Sequence, residues 1–130
     1  KESFLKRKCI IPANGYFEWS QKEGDKKPYF IQLGDGELIY FAGIWRKEEH
    51  NDHKRRVFSI ITKSANKKIN EIHHRMPVVL NANNAQDYLD AKENNIIFDN
   101  FDDVDLTFNE VSKYVNNPKN NDEKCIISNI

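Results

Sequence analysis

Two short segments hold the side chains best suited to proton chemistry. Glu18 sits inside an aromatic run, Tyr16-Phe17-Glu18-Trp19. Apolar neighbours that strip water from a carboxylate raise its pKa and suit it to proton transfer near neutrality. Strand alternation offers a plainer account: Tyr16 and Glu18 on one face, Phe17 and Trp19 on the other, with the glutamate facing water. The second segment is His73-His74-Arg75-Met76-Pro77. A loop histidine titrates close to neutral pH and can act as general acid or base. Arg75 presents a fork that grips a phosphate or carboxylate through two hydrogen bonds. An exposed basic loop would carry the same residues without any chemistry.

Other reactive residue types give less. Adjacent histidines diverge on regular structure, so His73 and His74 are not expected to share a metal. His50 and His53 lie three apart in a charged stretch with no cysteine nearby, weak ground for zinc. Cys9 and Cys125 each neighbour isoleucine and read as buried structural thiols, although Lys6, Arg7 and Lys8 surround Cys9 with positive charge. Two cysteines are too few for a disulfide-rich secreted scaffold. Trp19, Trp45, Tyr16 and Phe17 offer faces on which bases stack, but strand aromatics more often fill a core.

The elements that must position these groups are mostly strands. Residues 8–20 read as strand, tight turn at Pro12–Gly15, strand, with Asn14-Gly15 suited to positive φ. A polar turn at residues 23–26 leads to a strand at Pro28–Leu33, and Gly34-Asp35-Gly36 turns the chain into the apolar run Leu38–Trp45. Residues 46–55 read as a charged solvent loop and Val57–Thr62 as the next strand. Asn66 is placed to cap a short helix over Lys67–Ile72, which Pro77 follows before Val78–Leu80 extends. A second helix is expected from Asn84 to Lys92, burying Ala85, Tyr88 and Leu89. Leu106–Val115 alternates in part and reads as a strand. The expected class is α+β, a mostly antiparallel sheet with a few short helices, in one domain over residues 1–130.

Composition excludes several classes. The 130 residues carry 20 basic and 20 acidic side chains, so neither a histone-like nor an acidic-tail protein fits. The zero conceals an asymmetry: residues 1–75 hold 16 Lys and Arg against 10 Asp and Glu, and residues 76–130 hold 4 against 10. If the first half forms one face, that face attracts an anion such as a phosphate backbone. Mean hydropathy is low, at -0.79. No apolar run of about 18 residues is present and residues 1–15 hold no apolar signal core, which points to a cytoplasmic protein without membrane contact.

Six motifs in order carry a resemblance. They are residues 7–19, RKCIIPANGYFEW; Lys27-Pro28-Tyr29; Phe41-Ala42-Gly43-Ile44-Trp45; Phe58-Ser59-Ile60-Ile61-Thr62 with Ala65-Asn66; Ile72-His73-His74-Arg75-Met76-Pro77-Val78-Val79-Leu80; and Val111-Ser112-Lys113-Tyr114-Val115-Asn116. Together they resemble the SOS response-associated peptidase (SRAP) family, whose members sense abasic sites in single-stranded DNA. The resemblance implies a SRAP-like fold, a partly open barrel or coiled sheets. It also implies a chemistry in which an amino-terminal cysteine attacks the open-chain aldehyde of the lesion. Amine and thiol together close a thiazolidine, a DNA–protein crosslink.

By match, Glu18 stands for the family's catalytic glutamate and His73 for its catalytic histidine, while Trp19, Arg75 and Asn66 would contact the DNA. The same Glu/His pair would serve removal of an initiator Met, hence the family's peptidase name. No cofactor and no metal are implied, and the expected setting is the nucleoid during the SOS response. Family members begin with the nucleophilic cysteine and a segment bearing an Asn-Ala-Arg-type motif. Here the chain opens at Lys1, and residues 1–5 resemble the end of the helix after that motif. The sequence therefore reads as a carboxy-terminal piece, expected to form no crosslink alone and to self-associate through exposed apolar surface. A non-catalytic single-strand-binding module and a protein-interaction domain are the competing readings.

Overall fold

The computed structural model describes residues 6–22, 24, 26–92 and 104–129. The helix end expected at residues 1–5 lies outside them, as do two residues of the 23–26 turn. The chain divides into two compact units. One comprises residues 1–13, 39–63 and 77–104; the other comprises residues 14–38, 64–76 and 105–130.

The first unit is built on β1 (Lys8–Ala13), β4 (Ile39–His50) and β5 (His53–Ile60), hydrogen-bonded in that order. Strand β8 (Val79–Leu80) adds to β4 through Tyr40↔Leu80 and Phe41↔Val79. One α-helix, α1 (Ala82–Asp90), starts where the Asn81 side chain accepts from the Asn84 N–H at 2.8 Å. It begins two residues before the expected helix because that cap precedes the apolar stripe. Tyr88 is fully buried and packs with Ala42, Val78 and Leu80, whereas Leu89, expected inside, is 41% exposed. The Tyr88 hydroxyl donates to the Gly43 carbonyl at 2.7 Å. Lys8 donates to the carbonyls of Tyr88 and Ala91 at the end of α1, where the helix dipole favours a cation.

Residues 46–55 are not a loop. They form the distal half of a β4–β5 hairpin whose register runs from Gly43↔Ile60 to His50↔His53. Asn51 and Asp52 take positive φ, 49° and 62°, and close it as a two-residue turn. The charged composition hid the strand because its side chains stand in water on both faces, leaving no alternation to read.

The second unit holds β2 (Tyr16–Trp19), β3 (Pro28–Leu33) and β9 (Leu106–Glu110), in the order β2-β3-β9 and antiparallel throughout. Gly15 is required on steric grounds: a Cβ there would meet the Ile31 carbonyl oxygen at 2.4 Å. Neither Asn14 nor Gly15 takes the positive φ expected of them. Strand β9 stops five residues short of the expected Val115, because Val111 bridges to Ser128 and Ser112 caps a 3-10 turn over Lys113–Asn116. A second such turn, Glu123–Ile126, buries Cys125. The expected helix at Lys67–Ile72 contracts to one 3-10 turn, Ile69–Glu71. Short strands β6 (Thr62–Ser64) and β7 (Arg75–Pro77) pair with each other. The α+β class holds, with one α-helix among the described residues. None of the three sheets closes on itself.

Candidate active site

All five residues singled out for chemistry or DNA contact fall in the second unit. Glu18 is half-buried on β2, opposite Tyr29 on β3. Directly opposed residues share a face, so Tyr16, Glu18, Tyr29 and the fully buried Ile31 stand on the same side of the sheet. Glu18 therefore belongs to a face that carries apolar packing, not to a purely solvated one. Its Oε1 accepts from the Trp19 N–H at 3.0 Å, which folds the carboxylate back on its own strand. Tyr16 feels both influences: burial, then the Glu18 charge, push its phenol well above the ordinary tyrosine range. The hydroxyl consequently stays protonated beside the carboxylate. Trp19 lies on the opposite face, its indole Nε1–H donating to Asn116 Oδ1 at 2.7 Å. That bond ties β2 to the 3-10 turn 97 residues on and fixes the ring plane.

The histidine loop is held by a clasp. The Gln21 N–H donates to the Ile72 carbonyl at 3.1 Å. Gln21 Oε1 accepts from the His74 N–H at 3.1 Å and faces His74 Nδ1 at 2.6 Å. An amide oxygen only accepts, so neutral His74 carries its proton on Nδ1. His73 and His74 are stacked, ring centroids 4.7 Å apart and planes 17° from parallel. The divergence expected of neighbouring histidines fails because residues 72–74 are irregular loop, free of helix or strand geometry. Among the described residues no cluster of three metal-ligating side chains occurs, and both Nδ1 atoms are already engaged.

His73 Nδ1 accepts from the Arg75 N–H at 3.0 Å and lies 3.2 Å from the Arg75 carbonyl. Neutral His73 is therefore the Nε2–H tautomer, and its imidazolium can turn the Nδ1 proton to the carbonyl. A partner exists in either protonation state, leaving Nε2 to exchange protons. Arg75 is exposed. Asn66 uses its side-chain oxygen to accept from the Ile69 N–H at 2.9 Å, and its backbone N–H approaches Met76 sulfur at 3.3 Å. It thus caps the turn that precedes the histidines, as its sequence position suggested.

Gln21 and Asn116 as partners of the site had no local signal, since their contacts span 53 and 97 residues. Gln21 lies three residues from Glu18, so their Cα atoms are at most about 11 Å apart. The strand bearing the carboxylate and the loop bearing the histidine are in this way stitched together.

A family model described as SOS response associated peptidase (SRAP) matches residues 1–118. The chain belongs to this family. It is 32% identical to the abasic site processing protein YoqW of Bacillus subtilis (strain 168) over 137 residues, covering 98% of this chain and 60% of that protein. The abasic site processing protein HMCES of Gallus gallus is 25% identical over 146 residues, covering 93% of this chain and 43% of that protein. The chain thus spans about 60% or less of the length of these relatives. A solved protein from Bacteroides thetaiotaomicron shares the fold with a TM-score of 0.83 at 25% identity, over 99% of this chain and 60% of that one. A solved protein from Bordetella bronchiseptica reaches 0.72 at 21% identity, over 85% of this chain and 58% of that one. Among the described residues, no helix is long and apolar enough to cross a membrane.

Proposed function

We propose that this chain supplies the proton-transfer half of an abasic-site processing site acting on single-stranded DNA in the SOS response. The observation that carries the reading is the Gln21 clasp, which joins the Glu18 strand to the His73 loop. The nucleophile that the family resemblance implies is an amino-terminal cysteine. Cys9 and Cys125 lie within the chain and carry no free α-amine, so the reaction belongs to this chain joined to a segment beginning with that cysteine.

The steps follow from general chemistry. His73, protonated, delivers a proton from Nε2 to the ring oxygen of the abasic sugar as the C1–O bond breaks, and the anomeric hydroxyl gives its proton to water, leaving the aldehyde. Glu18 takes a proton from the cysteine ammonium, freeing the amine to attack the aldehyde carbon. Loss of one water leaves the imine. The thiol then adds its sulfur across the C=N bond and its proton to nitrogen, closing the thiazolidine. Arg75 grips a flanking phosphate, and Trp19, its edge fixed by Asn116, offers a ring to a neighbouring base. Asn66 holds the loop and presents its remaining amide N–H to the strand. The same pair would assist removal of an initiator Met that masks the cysteine.

The test is a denaturing gel with single-stranded DNA carrying one abasic site. A crosslink is expected when the cysteine-bearing segment is joined to this chain, and none with the 130 residues alone. Glu18→Gln and His73→Ala should each slow crosslinking by about 100-fold. A crosslink formed by this chain alone, or rates unchanged in both variants, overturns the assignment.

A further inference from the structure

The β4–β5 hairpin of the first unit has two unlike faces. Its register puts Arg46, Glu48 and Arg55 on one, where Glu48 bonds Arg46 at 3.1 Å and Arg55 at 2.7 Å. The other carries Trp45, Lys47, Glu49, Lys54, Arg56 and Phe58. Lys47 and Arg56 are directly opposed across the strands, an arrangement that costs folding energy because like charges repel. Among the described residues no carboxylate pairs with Lys47, Lys54 or Arg56. Lys47, Lys54, Arg55 and Arg56 instead line a cleft of about 250 Å³ that no acidic side chain enters.

Beside that cleft lies an apolar cavity of about 280 Å³, lined by Cys9, Ile11, Trp45, Arg56 and Phe58 among others. The guanidinium groups of Arg7 and Arg56 lie over the Trp45 ring, 5.9 and 5.4 Å from its centroid. Stacked guanidiniums are pre-organised and lose less rotamer freedom when they grip an anion. Phe58 is 57% exposed and Ile60 38%. Charges alone can guard an edge strand such as β5 against pairing, but a guarded edge has no use for an exposed phenylalanine beside its cations.

We infer that this face of the hairpin binds single-stranded nucleic acid, taking phosphates along Lys47, Lys54 and Arg56 in the cleft and an unstacked base against Phe58. Alternating cations and aromatic rings are what a backbone with splayed bases requires. The inference rests on the DNA reading above but concerns a surface of the first unit, with no part in the proton chemistry.

The experiment is fluorescence anisotropy of the chain with an undamaged single-stranded oligonucleotide across a salt series. Lys47→Gln with Arg56→Gln should weaken binding and flatten the log–log salt slope by about 0.7 for each phosphate no longer neutralised, about 1.4 in all. Phe58→Ala should weaken it about fivefold or more with the slope unchanged. Arg46→Gln, a charge removed from the opposite face and outside the cleft, should leave the slope at that of the parent. If the parent binds and the Lys47/Arg56 and Phe58 variants bind equally well, the hairpin inference falls and the DNA reading survives. If the parent binds no single strand at low salt, both fall. A duplex bound as tightly as the single strand would overturn the role given to Phe58 and to splayed bases.

Discussion

Replacing Gln21 by alanine should disable the histidine loop while leaving the fold in place. Gln21 Oε1 accepts twice from His74, at 3.1 Å from N and 2.6 Å from Nδ1. A net hydrogen bond contributes about 1 kcal/mol, and both partners are exposed, so water recovers part of it. About 1–2 kcal/mol of local restraint would disappear with the side chain. His74 would then be free to rotate out of the stack with His73, whose ring lies 4.7 Å away. The expected consequence is about a 5- to 30-fold fall in crosslinking rate, by conversion at about 1.4 kcal/mol per decade. Global stability should move by less than about 1 kcal/mol, because no buried group is exposed. Nitrogen-15 spectra of the imidazoles give an independent readout on the chain itself. In the parent, neutral His73 should carry its proton on Nε2 and neutral His74 on Nδ1. In Gln21→Ala, His74 should become a mixture of tautomers, whereas Gln21→Glu, which keeps an acceptor oxygen in place, should retain the Nδ1 proton. A parent spectrum with the tautomers reversed, or a rate and spectrum untouched by Gln21→Ala, would refute the clasp.

Three further outcomes are expected. Gly15→Ala should destabilise the chain by about 1–3 kcal/mol in urea unfolding, since its methyl group meets backbone at Ile31; a drop below about 0.5 kcal/mol would show that β2 and β3 can spread. Cys9 should react with iodoacetamide more slowly than a free cysteine at about pH 8, because burial pushes its thiol up. Lys8 does not counteract this, its ammonium being directed to the end of α1; faster alkylation than free cysteine would contradict it. The Glu48 carboxyl is held below the ordinary glutamate value, first by the hydrogen bond from Arg55. Its contribution to the hairpin is therefore present above the ordinary value near 4.5 and lost as pH falls through the depressed one. A carbon-13 titration of Glu48 at or above the ordinary midpoint would remove that ion pair from consideration.

Much of the fold was legible because it is written locally. The strands Pro28–Leu33 and β1–β2 follow from β-branched and aromatic runs broken by turn residues, and Asn66 announced its cap by its place before Ile69. The ordered motifs also disclosed the family, and they singled out Glu18 and His73 as candidates before any contact was known. Sequence alone misjudged places where local pattern and long-range pairing disagree. The hairpin through Glu48 and Arg55 is held by backbone ladders and a two-residue turn, so its charged side chains gave no periodic signal. Strand β9 ends early because Val111 pairs with Ser128, a choice made 17 residues away.

Tertiary structure alone decided how the candidate site is assembled. Neighbouring histidines lie parallel only because Gln21, 53 positions earlier, fixes one ring, and Glu18 shares a face with Ile31 only through the β2–β3 register. Residue type sets which protons a side chain can hold. Which atom holds them, and beside what, depends on hydrogen bonds between distant segments, and those exist only once the sheet has paired.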